Sequence, residues 1–217
     1  MPVCAYNPRG TSGSGKTTIV RELLRYSGAT PVQWAGKKPV LYQGQMMSVP
    51  LWVIGSYQTT CGGCDTIDSV HKVAELLVPL MNDPGPGIVI YEGLMISHMI
   101  GTVGAAVKPY GQRHVMAFLD TPLQTCLDRV RARRLAAGQT KPLNVENTTK
   151  DHRAVQNCMR NAADQGFRVV SLNHLRASQQ TMEILNELSK LSLAGPVDDQ
   201  AGGGTARLRD ESEEALD

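Results

Sequence analysis

One short motif near the N-terminus constrains this chain more than any other feature. Residues Gly10-Thr-Ser-Gly-Ser-Gly15-Lys16-Thr17 fit the pattern G-x-x-x-x-G-K-[ST]. They follow an apolar run, Val3 to Tyr6, and lead into a helix-periodic run, Lys16 to Tyr26. Glycines in such a loop let backbone N–H groups surround phosphate oxygens at the positive end of a helix. The motif therefore predicts a phosphate-binding loop between a strand and a helix.

The loop supplies the candidate nucleotide-binding residues. Lys16 can reach the β and γ phosphates of ATP, and the Thr17 hydroxyl is a candidate ligand of Mg²⁺. Arg9 directly precedes the loop, and we expect it at the surface. The complete predicted binding set is Gly10, Thr11, Ser12, Gly13, Ser14, Gly15, Lys16, Thr17 and Thr18.

A partner carboxylate is expected at the end of a neighbouring strand. Glu92 ends the apolar run 87–91 and is followed by Gly93, which permits close approach of the backbone. We expect Glu92 to hold Mg²⁺ together with Thr17, or to orient the attacking oxygen. An ordinary strand-end residue is the alternative.

A second loop, Gly55 to Asp68, lies between a predicted strand over Leu51–Tyr57 and a predicted helix over Asp65–Met81. Asp65 is the candidate general base for an acceptor hydroxyl, and capping of that helix explains it equally well. Cys61 and Cys64 lie in the same loop. A structural zinc site needs four ligands, so we interpret them as small residues rather than as a metal or redox site.

Four arginines lie late in a helix predicted over Pro122–Ala137. Arg129 and Arg133 are spaced i, i+4 and share a face, where they can clamp a transferring phosphoryl group. With the polar loop that follows, they predict a lid over residues 129–147 that excludes water. Arginines that only complement the helix dipole are the alternative. His98 is a further candidate for the acceptor side, and His174 marks a place where a nucleotide base can pack.

Short β-rich runs alternate with helical patterns along the rest of the chain. This alternation predicts a mostly parallel sheet with helices on both faces. Residues 40–57 instead predict an inserted β-hairpin, and a helix is predicted near 95–107. The catalytic domain is expected over 1–193, followed by a flexible acidic tail over 194–217 that is poor in large apolar groups.

The net charge of +2 is unevenly distributed. The tail carries seven acidic against two basic side chains, so residues 1–193 have a net charge of +7. Ten lysines and arginines fall within residues 129–176, a concentration that suits an anionic partner as well as a solvated helical face. No apolar run approaches the ~20 residues that cross a bilayer, and the N-terminus lacks the pattern of a secretion signal. We expect a protein of the cytosol with reduced cysteines and no membrane partner.

Taken in order, these motifs resemble the P-loop kinases of the nucleoside-monophosphate and polynucleotide kinase type. The likeness covers roughly residues 3–191 and includes Leu119-Asp120-Thr-Pro ahead of the arginine-rich helix. It implies a three-layer α/β/α P-loop fold with a five-stranded sheet. It also implies transfer of the γ-phosphoryl group of ATP to an alcohol, with Lys16, Arg129 and Arg133 stabilising that group.

Shorter motifs narrow the resemblance. Gly55-x-Tyr57, Gly62-Gly63-x-Asp65 and Tyr91-Glu92-Gly93 are similar to those of bacteriophage 5-hydroxymethyluracil DNA kinases. Such enzymes act on a hydroxymethyl base within DNA, a step of thymine hypermodification in the host cytoplasm. Tyr57, Trp52 or Tyr91 is then a candidate to stack an extruded base, and core packing is the commoner alternative. The alternatives are a kinase of free nucleoside monophosphates and a P-loop switch ATPase that makes no phosphorylated product. A nucleotide-binding module without catalysis is a third.

Overall fold

The computed structural model describes residues 1–32, 40–59 and 61–195. Of the predicted acidic tail, positions from 196 onward lie outside the described residues. The strands are β1 (Val3–Arg9), β2 (Thr30–Val32), β3 (Leu41–Met46), β4 (Val49–Ile54), β5 (Gly87–Tyr91), β6 (His114–Asp120) and β7 (Arg168–Asn173). The helices are α1 (Lys16–Tyr26), α2 (Val70–Met81), α3 (Leu94–Ser97), α4 (Gly101–Val107), α5 (Leu123–Ala136), α6 (Val145–Asp164) and α7 (Ala177–Ala194), with 3₁₀ turns at Cys64–Thr66 and Lys108–Arg113.

Within the described ranges, the strands form one sheet of seven in the order β2-β3-β4-β5-β1-β6-β7. The pairs β4–β5, β5–β1, β1–β6 and β6–β7 are parallel. The pairs β2–β3 and β3–β4, at one edge of the sheet, are antiparallel. The sheet thus has seven strands where five were predicted, and five of the seven (β4, β5, β1, β6 and β7) form its parallel part. The predicted hairpin exists as β3 and β4, but β4 also pairs in parallel with β5, so the hairpin extends the main sheet. The sequence did not predict β2, because this short strand has no alternation of apolar and polar residues.

Alternation along the central strands divides the core between the two faces of the sheet. Cys4 and Tyr6 of β1 pack in one cluster with α1 and α7. Val3 and Ala5 pack in a second cluster with α2, α4 and α6. Strands that are buried on both faces are typical of parallel sheets covered by helices. The structure thus confirms a mixed α/β architecture with helices on both faces.

Two predicted helices differ from the observed ones. The helix predicted over Asp65–Met81 begins only at Val70, because Cys64–Thr66 forms a separate 3₁₀ turn and Ser69 caps α2 by accepting from Lys72 N at 3.3 Å. The helix predicted over Met95–Val107 is divided into α3 and α4. The break falls just before Gly101, whose φ of 29° departs from helical geometry.

The topology locates a crevice at the centre of the sheet. β1 and β5 are neighbours in the sheet, and the chain leaves β1 for α1 on one face and β5 for α3 and α4 on the other. In open α/β sheets, ligands bind outside the carboxyl ends of strands at such a point. The glycine-rich loop joins β1 to α1 there. No helix in the described portion is both long and apolar enough to cross a membrane.

Candidate active site

A cleft of about 850 Å³ opens at this edge of the sheet. Its wall includes the predicted loop from Thr11 to Thr18, whereas Gly10 lies just beneath the surface. Asp65, Glu92, Arg129 and Arg133 also line it. The structure therefore brings together in one cavity the side chains that the sequence singles out as catalytic or metal-binding. His98 and His174 are further lining residues.

Glycine geometry shapes the loop. Gly13 and Gly15 have φ values of 82° and 112°, which L side chains rarely adopt. A β-carbon at Gly13 would also clash with the carbonyl oxygen of Cys126. Gly15 caps α1 without a side-chain hydrogen bond, so the first N–H groups of this helix are left for a ligand. Thr11 Oγ1 and Ser14 Oγ are buried without a partner among the described residues. The loop thus fits a polar anion.

Lys16 is buried beside this loop. Its Nζ donates to the carbonyl oxygens of Gly10 at 2.7 Å and Thr11 at 3.2 Å. Burial lowers the pKa of Lys16, while the negative charges of Glu92 and Asp65 act in the opposite direction. The loop carbonyls hold the ammonium group at the cavity wall, where it can meet phosphate oxygens.

Thr17 and Glu92, the predicted magnesium pair, are in direct contact. Thr17 Oγ1 donates to Glu92 Oε1 at 2.9 Å, and only 1% of Glu92 is exposed. Burial raises the pKa of Glu92 to about 7, although Lys16 and the Thr17 hydroxyl partly oppose this effect. A hydroxyl beside a buried carboxylate is an oxygen-only donor set, which suits Mg²⁺.

The position of Glu92 depends on glycines in the neighbouring loop. Cys64 N donates to Glu92 O at 2.7 Å, which ties the Gly55–Thr66 loop to the end of β5. Gly63 has a φ of 82°, and a β-carbon there would lie 2.5 Å from both Glu92 O and Glu92 Oε1. Gly62-Gly63 therefore permits the approach that places the two predicted carboxylates in one cavity.

Asp65 has a structural partner that the sequence did not predict. Its Oδ2 accepts from Leu94 N at 2.7 Å and its Oδ1 accepts from Met95 N at 3.1 Å. The carboxylate thus caps α3 rather than α2, the helix that its position in the sequence suggested. It remains exposed at the cleft, opposite the phosphate loop.

The arginines of α5 divide between two surfaces. Arg129 and Arg133 line the cleft, and Arg129 Nη1 donates to Ser14 O at 3.2 Å and Gly13 O at 3.3 Å. Arg131 instead pairs with Asp128 at 2.9 Å, and Arg134 donates to Lys141 O at 2.8 Å. The predicted shared face of Arg129 and Arg133 is therefore confirmed. Movement of residues 129–147 as a lid stays a prediction.

Comparison with known proteins assigns this chain to a family. A family model described as 5-hmdU DNA kinase matches residues 4–186. The chain belongs to the 5-hmdU DNA kinase family. It is 40% identical over 147 residues to the 5-hmdU DNA kinase of Pseudomonas phage PaMx11, covering 65% of this chain and 76% of that protein. It is 27% identical over 191 residues to the 5-hmdU DNA kinase of Pseudomonas phage M6, covering 84% and 97%. It is 28% identical over 157 residues to 5-hmdU DNA kinase 1 of Salmonella phage ViI, covering 68% and 67%.

Glu92 should make the stability of this 5-hmdU DNA kinase family member fall with rising pH. Its pKa is higher in the folded protein than the ordinary 4.5, so the folded state holds the proton longer and loses stability between 4.5 and about 7. This shift corresponds to about 3 kcal/mol. In metal-free buffer, Glu92→Gln should therefore raise the free energy of unfolding by up to about 3 kcal/mol near pH 8, and by little near pH 5.

Urea denaturation at both pH values checks this prediction. Asp68→Asn on the exposed surface serves as a control for loss of a carboxylate. An equal effect of Glu92→Gln at both pH values would contradict the burial-shifted carboxyl.

The aromatic residues expected to stack a base do not line the cleft of this family member. Tyr91 is fully buried and shares a 2.7 Å hydrogen bond with His114 Nε2. Tyr57 packs edge-on against Tyr42, and Trp52 lies against Gly87. These side chains therefore belong to the core, the alternative that the sequence left open for them. Leu94 and Met95 contribute apolar side chains to the lining of the cleft.

Arg9 is also not where the sequence suggested. It is fully buried, and its Nε donates to Asn7 Oδ1 at 2.6 Å while its Nη1 donates to Met99 O at 3.0 Å. Arg9 thereby joins the end of β1 to the segment after α3. The sequence carries no signal for this role, because Met99 lies 90 positions from Arg9 along the chain.

Proposed function

We propose that this protein transfers the γ-phosphoryl group of ATP to the hydroxymethyl oxygen of 5-hydroxymethyluracil within DNA. The bond from the γ-phosphorus to the β,γ-bridging oxygen breaks, a bond to the hydroxymethyl oxygen forms, and the hydroxyl loses its proton. The products are ADP and a phosphomethyl base. The observation that carries this proposal is a single cleft lined by both the phosphate loop and the Asp65–Leu94–Met95 surface. The family relationship supports the choice of acceptor.

The nucleotide side of the cleft suits ATP. N–H groups at the start of α1, together with Lys16, would hold the β and γ phosphates. His174 lines the far end of the cleft, where its Nδ1 lies 2.9 Å from Asp120 O, and the nucleoside would lie between it and Arg129. Mg²⁺ would be held by Thr17 and Glu92, and when bound it would neutralise charge on the β and γ phosphates.

The arginines would act on the transferring group. Phosphoryl transfer has a loose transition state whose charge is spread over the equatorial oxygens, so cations at fixed positions stabilise it. Arg129 is anchored to the loop carbonyls, and Arg133 faces the same cavity with no carboxylate partner among the described residues. We assign Arg133 to the γ-phosphoryl oxygens and Arg129 to the loop and nucleotide.

Asp65 would orient the acceptor. Its two oxygens are fixed by α3, and a carboxylate has lone pairs beyond the two that accept these N–H groups. One of them can accept a hydrogen bond from the hydroxymethyl group, and the face of the pyrimidine can pack on Leu94 and Met95. The sequence-based role of Asp65 as general base stays a prediction.

A DNA acceptor accords with the surface charge. Lys150, Arg153 and Arg160 are exposed on the outward side of α6. Phosphate contacts by such residues position DNA without reading its sequence. The relatives are phage proteins, so we propose that the reaction takes place in the host cytoplasm.

A panel of acceptors tests this function. With γ-labelled ATP and Mg²⁺, we expect label to enter duplex or single-stranded DNA that carries 5-hydroxymethyluracil, and not the same DNA with thymine. Labelling of the free nucleoside monophosphate instead would favour the small-molecule kinase. Release of inorganic phosphate with every acceptor would favour the switch ATPase.

A further inference from the structure

His98 lies on the acceptor side of the cleft and is supported from a distant helix. It follows α3 directly and lines the cavity together with Leu94 and Met95. Its Nε2 is enclosed, without a hydrogen bond among the described residues, and lies 3.7 Å from Asp151 Oδ1 of α6. The side chain is 22% exposed, so the ring is held by packing while one edge reaches the cavity.

The carboxylate behind the ring determines what His98 can do. Asp151 is 34% exposed and favours a proton on Nε2, the nitrogen that faces it. In the neutral ring the lone pair is then on Nδ1. A histidine whose far nitrogen faces a carboxylate is the arrangement by which a general base is oriented.

We propose that His98, positioned by Asp151, accepts the proton of the acceptor hydroxyl. This inference rests on the proposed function. As the hydroxymethyl oxygen bonds to the γ-phosphorus, its proton passes to Nδ1 of His98 and leaves to solvent after product release. Asp65 is less suited to this step because both its oxygens already accept backbone N–H groups, which fixes it as the group that orients the hydroxyl.

The surrounding charges keep His98 available as a base. Burial lowers the pKa of His98, Asp151 of α6 raises it, Lys16 of α1 lowers it and Asp65 of the 3₁₀ turn raises it. The net effect lowers the pKa of His98 from its ordinary value, which favours the neutral ring. A neutral imidazole can accept a proton, whereas an imidazolium cannot.

Replacement of His98 tests the proposal. His98→Ala should lower kcat about 10²-fold on 5-hydroxymethyluracil DNA, within the usual contribution of general base catalysis, and leave the Kd of ATP unchanged within about twofold. Added imidazole should restore part of the rate, because it can enter the space left by the ring. Asp65→Ala should not respond to imidazole. His71→Ala, on the exposed side of α2, is the matched control and should retain full activity.

A second variant separates catalysis from folding. Asp151→Asn keeps the size of the side chain and removes the charge that raises the pKa of His98, so the acidic limb of kcat/KM should move to lower pH. Full activity of His98→Ala, no rescue by imidazole, or an unmoved limb in Asp151→Asn would overturn the proposal. Failure of the wild-type protein to label DNA would overturn the proposed function itself, which distinguishes the two failures.

Discussion

Lys16→Ala should lower phosphoryl transfer about 10³-fold, with an intact fold, because it removes a charge that is fixed at the phosphate loop before the reaction begins. Lys16 is buried, and its Nζ donates hydrogen bonds to Gly10 O and Thr11 O. No other lysine of the described residues lines the cleft. Since burial opposes the charged form of Lys16, the variant should unfold no earlier than the wild type.

Steady-state transfer of labelled phosphate and a thermal melt measure the two parts of this prediction. Lys72→Ala is the matched control, since Lys72 is 50% exposed on α2 and pairs with Asp68. A rate for Lys16→Ala within a few-fold of the wild type would remove the phosphate loop from the mechanism.

Arg133→Ala should produce the other large effect, a fall in kcat of about 10³-fold, because an arginine that neutralises the transferring group contributes at least that much in related reactions. The substitution should lower kcat more than it weakens the binding of ATP, because the charge that Arg133 neutralises develops in the transition state. We assign this role to Arg133 because it lies on the face of α5 that lines the cleft.

The same helix provides the control for Arg133. Arg131 is 49% exposed and pairs with Asp128 on the other side of α5, so Arg131→Ala should retain normal kcat. Equal losses in the two variants would indicate a general effect on the helix rather than a contact with the phosphoryl group.

Local patterns predicted the parts of the fold that depend on neighbours in sequence. The glycine motif and the apolar periodicity of Ile19, Val20 and Leu23 correctly placed α1 at Lys16–Tyr26. The acid at the end of β5 also proved to be the partner of Thr17. The second result depends on the topology of parallel sheets, which brings strand ends that are distant in sequence to one edge.

The sequence could not predict several contacts between side chains that are distant along the chain. Asp65 caps α3 across a gap of 29 positions, and Asp151 reaches His98 from α6, and neither contact leaves a local pattern. The need for glycine at position 63 is not visible in the local sequence, because it arises from Glu92, which a β-carbon at this position would meet. Sequence position alone did not decide between base stacking and core packing for Tyr57 and Tyr91, which pack in the two core clusters on opposite faces of the sheet.

The position of the transferred phosphate tests the central claim most directly. After reaction with ATP, DNA that contains 5-hydroxymethyluracil is digested with nucleases alone to nucleoside 5′-monophosphates, which are separated beside synthetic standards. We predict that the label migrates with the mononucleotide that carries a second phosphate on its 5-methylene oxygen. Label confined to the terminal 5′-hydroxyl of the strand, or found only as inorganic phosphate, would contradict the account.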